Sequence, residues 1–118
     1  MKTIKLNLAA LAAVSIASSN ATAAYPTGLT IARVRVHQGA AYFGTTAQPG
    51  NTCSLWGEYF KFDSTTSDGK NYLATLLTAK AAGKLASVWY VNSTAPGTNQ
   101  SNGCNESSVS ILTGKALD

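Results

Sequence analysis

Charged residues are few. Nine Lys and Arg, five Asp and Glu and a single His are spread over 118 residues. From residue 25 onward, seven basic residues against five acidic ones leave a net charge of only +2. A nucleic-acid binder carries a dense basic stripe. The nearest approach to one is Arg33 and Arg35 with His37, so no nucleic-acid partner is expected. Catalytic groups are scarce too. His37 is the lone histidine, and no nucleophile elbow or Gly-rich phosphate loop after a strand is visible. The carboxylates after residue 25 are Glu58, Asp63, Asp68, Glu106 and Asp118. Glu58 and Asp63 fall at an odd separation on one predicted strand and so face opposite ways. Two cysteines and one histidine do not complete a usual zinc site. The chain therefore reads as a non-enzyme with no catalytic residues, no metal and no cofactor.

Only one long apolar run is present, and it is at the start. Lys2 and Lys5 precede a mostly apolar stretch from Leu6 to Ala17, too short to span a bilayer, and Ala21-Thr22-Ala23 follows with small residues at the positions a signal peptidase reads. Residues 1–23 are read as a signal peptide, with cleavage after Ala23 or Ala24, and 24–118 as a single domain. No membrane anchor is expected in the mature part, and its expected place is the periplasm or the medium.

A mature chain of 95 residues has a marginal core and benefits from a staple. The two cysteines, Cys53 and Cys104, permit one intramolecular pairing, and an oxidising compartment favours it.

Strand and helix periods alternate along the chain. Leu29–His37 alternates with Ala32, Val34 and Val36 on one face and Arg33, Arg35 and His37 on the other. Gln38-Gly39 is a tight turn, and Ala40–Thr45 completes a hairpin. Leu55–Asp63 reads as a third strand, with Trp56, Glu58, Phe60 and Phe62 on one face and Leu55, Tyr59 and Lys61 on the other. A helix follows, capped by Ser67 or Asp68, with Tyr72, Leu73, Leu76, Leu77 and Ala79–Ala82 as its apolar stripe and Gly83 as terminator. Ala86–Asn92 is a fourth strand. Residues 93–103 form a long polar loop, and Ser107–Leu112 is a fifth strand with Val109 and Ile111 facing the core.

The order β-β-β-α-β-β is that of a five-stranded OB-fold-like barrel with one helix between strands 3 and 4; a different small α+β sheet shares the same order. In an OB-fold the third and fifth strands are parallel neighbours. Cys53 and Cys104 lie just before those two strands, at one end, where a disulfide can reach.

The stretch from Asn71 to Gly83, then Ser87-Val88-Trp89, a cysteine and a short last strand resembles the second half of Shiga-type toxin B subunits. The chain is also similar to small secreted bacterial proteins with a Phe-x-Phe-Asp motif, a Leu-Leu-x-Ala-Lys helix and a Gly-Lys turn, seen here from Phe60 to Lys84. The first resemblance implies a glycan-binding pentamer that carries a toxic partner chain. The cysteine pattern departs from it, because that family's first cysteine lies near the N-terminus, and no glycan-contact residue of the family matches a position here.

Aromatic residues on outward faces offer large contact area at low entropy cost. Trp89 on the fourth strand, beside Arg33 and Arg35 on the first, is the preferred candidate ligand patch, since arginine forks suit carboxylates. Tyr59 on the third strand is its rival. Either ring can instead pack under the helix or against the long loop. The expected function is a secreted or periplasmic binding module for a glycan or a protein, possible homo-oligomers included. The alternative is a structural or inhibitory periplasmic protein that binds another protein.

Overall fold

The computed structural model describes residues 23, 24 and 26–117; the leader expected over residues 1–23 lies mostly outside them. The elements are β1 (Ala23–Ala24), β2 (Leu29–His37), β3 (Ala40–Thr45), β4 (Phe60–Asp63), α1 (Ser67–Ala82), β5 (Leu85–Val91) and β6 (Ser110–Leu117), with a single 3-10 turn at Gln100–Asn102. No helix among the described residues is long and apolar enough to cross a membrane.

The domain is β-rich with one helix, and five of its strands close in a ring. The order is β5-β2-β3-β4-β6, and β6 returns to β5. All neighbours are antiparallel except β4 and β6, which run parallel with Phe60 opposite Ser110 and Lys61 opposite Ile111. The sequence expectation of parallel third and fifth strands is met. The bond between Cys53 and Cys104 precedes both strands, with Cα atoms 5.8 Å apart. β1 adds two residues to β5 at Val91 and Tyr90.

The inner face of the ring holds the larger core: Ile31, Phe43, Phe60, Phe62, Val88, Tyr90 and Leu112, with Leu76 and Ala79 supplied by α1. The helix starts because the Thr66 hydroxyl accepts from the Gly69 N–H, one residue earlier than expected, and ends at Gly83 in the left-handed conformation. A smaller core of Tyr42, Cys53, Leu55, Cys104 and Val109 lies apart from it. The disulfide thus belongs to a second layer.

Three expectations change. A register shift between Ile31 and Arg33 puts Ile31, rather than Ala32, into the inner core. The last strand begins at Ser110 instead of Ser107, and Ile111 is 53% exposed instead of buried, while Val109 joins the smaller core. The third strand is interrupted: Leu55 pairs with Glu58 across a two-residue turn, and regular pairing resumes only at Phe60.

Candidate functional site

The interruption in the third strand builds the site. At Trp56-Gly57 both residues have positive φ, 52° and 85°. The Leu55 and Glu58 backbones exchange both hydrogen bonds, at 2.9 and 3.0 Å. This is the backbone of a primed two-residue hairpin turn, for which Asn-Gly is the favoured sequence; a tryptophan at its first position is an outlier. The turn lies against β3 at Gly44, where an added Cβ would come 1.7 Å from the Gly57 carbonyl oxygen. Only glycine at position 44 admits this approach.

Folding the turn onto β3 carries Glu58 to the side of the sheet opposite Phe60 and Phe62, which face the inner core. Trp56, expected on the Phe60 face, is instead 61% exposed. The Glu58 side chain has no exposed surface, and two arginines from β2 hold it. Arg33 Nε donates at 2.8 Å, Arg35 Nε at 2.9 Å and Arg35 Nη2 at 2.8 Å. Arg35 also reaches Glu106 at 3.5 Å, and its guanidinium lies 4.4 Å from the centre of the Tyr42 ring and 5.8 Å from that of Trp56. Burial pushes the Glu58 carboxyl upward, but the bonds and charges of Arg35 and Arg33 outweigh it and hold it below its ordinary value of 4.5. Burial, followed by the charge of Glu106, raises Tyr42 above its ordinary value.

Strand register extends this cluster into a row across the sheet: Arg35 on β2 opposite Tyr42 on β3, Tyr42 opposite Lys61 on β4, Lys61 opposite Ile111 on β6. The Lys61 ammonium donates to the Glu106 carbonyl at 2.5 Å. Next to this row is a groove of about 520 Å³, lined by Gln38 and Gly39 of the β2–β3 turn together with Tyr42, Lys61, Asp63 and Ile111. Gln38, like Trp56, has a positive φ, 52°. The Asp63 carboxylate accepts from the Thr65 N–H and hydroxyl, which holds it below its ordinary value.

No protein-family model, no curated protein and no solved structure matches the chain.

The β5–β6 loop closes the far side. Its Gln100 amide, with the oxygen turned toward Trp56, accepts from the Trp56 N–H at 2.8 Å and the indole N–H at 2.7 Å, and donates to the Ser54 carbonyl at 3.1 Å. The Ser54 N–H donates to the Thr98 carbonyl at 2.8 Å, and the disulfide ties the loop down again at Cys104. A second, neutral cleft of about 350 Å³ lies between Asn51, Thr52 and residues 92–98, and the Asn92 side-chain oxygen there has no hydrogen-bond partner among the described residues.

The structure does not bring together the preferred patch of Trp89 with Arg33 and Arg35. β2 and β5 pair only at Leu29–Ala86 and Thr30–Leu85. Because the pairing is antiparallel, Trp89 lies on one side of that point and the arginines on the other, about 20 Å apart at the usual rise per residue. Trp89 is half-buried and lies against Gly114, where an added Cβ would come 3.3 Å from its ring. Tyr59 is half-buried and packs against the inner core, edge-on to Phe60 at 6.5 Å. Arg35 does share a site with aromatic residues, but they are Tyr42 and Trp56.

Trp56 and the groove residues Gln38 and Lys61 carry no signal of a site in the sequence, and Glu58 and Asp63 stand out there only as carboxylates that face opposite ways. One signal for the turn was available: Gly57 inside an otherwise regular strand pattern marks a bulge or a close backbone approach. Two arginines on one strand face also require a counter-charge once that face is covered.

Proposed function

We propose that this chain is an exported, non-catalytic binding module of OB type that recognises a glycan on the outer face of β3 and β4. The OB assignment is supported by the ring order: first strand beside second, second beside third, third parallel to fifth, fifth beside fourth, fourth back to first, with the helix between third and fourth. OB-folds bind oligosaccharides and oligonucleotides on the face of the second and third strands and on the loops that follow the first and fourth. The observation that carries the reading is the position of the groove. It lies on β3 and β4, the second and third strands of the ring, beside the β2–β3 turn. Its lining mixes an aromatic ring, an ammonium, a carboxylate and an amide, the equipment of a polar-ligand site. Glu58 is held ionised by two arginines, an arrangement that suits scaffolding rather than proton transfer. Export is supported by the leader-like start and the disulfide.

A glycan-array screen of the exported protein tests this reading. The expected result is a defined set of bound glycans, with affinity reduced about tenfold or more, some 1.4 kcal/mol, by Lys61→Ala or Asp63→Ala in variants that keep their fold. No glycan bound, or binding indifferent to both substitutions, overturns it.

A further inference from the structure

Trp56 combines three observations. Its backbone occupies a left-handed conformation that bulky residues avoid. Its indole is 61% exposed. Yet its edge is pinned, because Gln100 takes both the backbone and the indole N–H. A tight turn that needed only to turn would carry Asn at this place. A bulky ring in a strained conformation, exposed and fixed, is the kind of outlier from which function is argued.

Its surroundings decide the ligand class. Arg33 is 50% exposed and bonds Glu58 through its Nε, at 2.8 Å. Arg35 is 24% exposed and occupied by Glu58 and Glu106. Arg35 is the guanidinium beside the indole, 5.8 Å from its ring centre, and Arg33 is joined to it through the shared Glu58 carboxylate, so the less occupied charge of this cluster is one arginine fork, which matches a carboxylate. No other exposed large hydrophobic residue lies in the Leu55–Glu58 turn or the Gln100 loop. A stable protein interface buries about 800 Å² per partner around an apolar centre, and one ring among Arg33, Arg35, Glu58 and Gln100 does not offer that. One indole face matches one sugar ring.

We infer that Trp56 and Arg33 form a subsite for a sugar ring bearing a carboxylate, with the C–H face of the ring on the indole and the carboxylate on the guanidinium, an inference that rests on the glycan-binding reading above. The subsite lies across the Arg35–Tyr42–Lys61 row from the groove, so an extended chain can occupy both.

The test prints carboxylate-bearing glycans beside their methyl esters, with poly-glutamate on the same surface, and probes them with the exported protein, Trp56→Asn and Arg33→Gln. Wild type should bind the acids and at least tenfold less of the esters, and both variants should lose that difference. Trp56→Asn should keep its unfolding midpoint, since Asn-Gly suits the turn, so a loss of binding in that variant is not a loss of fold. Equal binding of acids and esters overturns the inference and leaves the glycan reading standing. Trp56→Asn binding acids like wild type overturns it as well. Binding of poly-glutamate alone overturns it in favour of an acidic protein segment. An array with no glycan bound removes the broader reading along with it.

Discussion

Removing Arg35 should destabilise this fold more than removing any other surface-reaching side chain. Glu58 has no exposed surface and receives four hydrogen bonds of 2.8–3.0 Å, three of them from Arg35. Arg35→Ala leaves that carboxylate buried with Arg33 alone. Breaking a buried ion pair from one side costs about 3–5 kcal/mol, because the remaining charge keeps its desolvation penalty. Loss of the stacking on Tyr42 at 4.4 Å adds about 0.5–1 kcal/mol. Glu58→Gln should cost less, about 1.5–3 kcal/mol, since both arginines already reach water and can turn to it. The assay is urea unfolding of the oxidised protein at pH 7, with an unchanged slope to confirm that the unfolded state is comparable. The pH dependence supplies a second readout. Glu58 lies below its ordinary value of 4.5 when folded, so its contribution is complete above that value and is lost as pH falls through the lower folded one. The gap between wild type and Arg35→Ala should therefore narrow below about pH 4.5. A cost under about 1 kcal/mol, or a gap that does not depend on pH, refutes the buried-pair account.

Three further outcomes follow from the packing. Alkylation of the folded protein should find no free thiol, and Cys104→Ser should cost about 2–4 kcal/mol through loss of the 51-residue cross-link. Leu76→Ala should cost about 2–5 kcal/mol, because Leu76 is fully buried between helix and sheet, whereas the exposed Lys80→Ala should cost under about 0.5 kcal/mol; equal costs would place the wrong helix face inward. Gly44→Ala should cost about 1–3 kcal/mol and displace the Trp56 turn, read as a change in tryptophan fluorescence relative to wild type, because the new methyl meets the Gly57 carbonyl.

Periodicity reveals much of this fold. The bounds of β2 and β3 and the Gln-Gly turn between them were legible from alternation, although the register shift near Ala32 was not. The helix was legible from its stripe and its Gly83 terminator. The parallel contact of β4 and β6 followed from the element order of an OB-fold, and the two cysteines, each placed before one of those strands, agreed with it. What alternation concealed was the turn at Trp56-Gly57. Residues 55–63 keep a strand-like pattern straight through it, and nothing about tryptophan announces a left-handed backbone. The missed turn then hid the site. With Glu58 assigned to an unbroken strand, its arginine partners looked free, and Trp89 looked like their neighbour. A one-residue register shift at Ala32 and a two-residue turn at Trp56 are small local events. Each reverses which side of the sheet a side chain occupies.

The ring has a consequence for how the chain can be made. β6 is the last of the described strands, and it is the one that joins β4 to β5. Until it is synthesised, both of those strands present open backbone edges, and Cys53 waits for a cysteine 51 positions downstream. Such edges are templates for pairing with other chains, and incompletely folded intermediates aggregate through them. A chain cut short before Cys104 lacks both β6 and the partner cysteine, and should therefore accumulate as insoluble material or as intermolecular disulfides, rather than as a slightly weakened monomer.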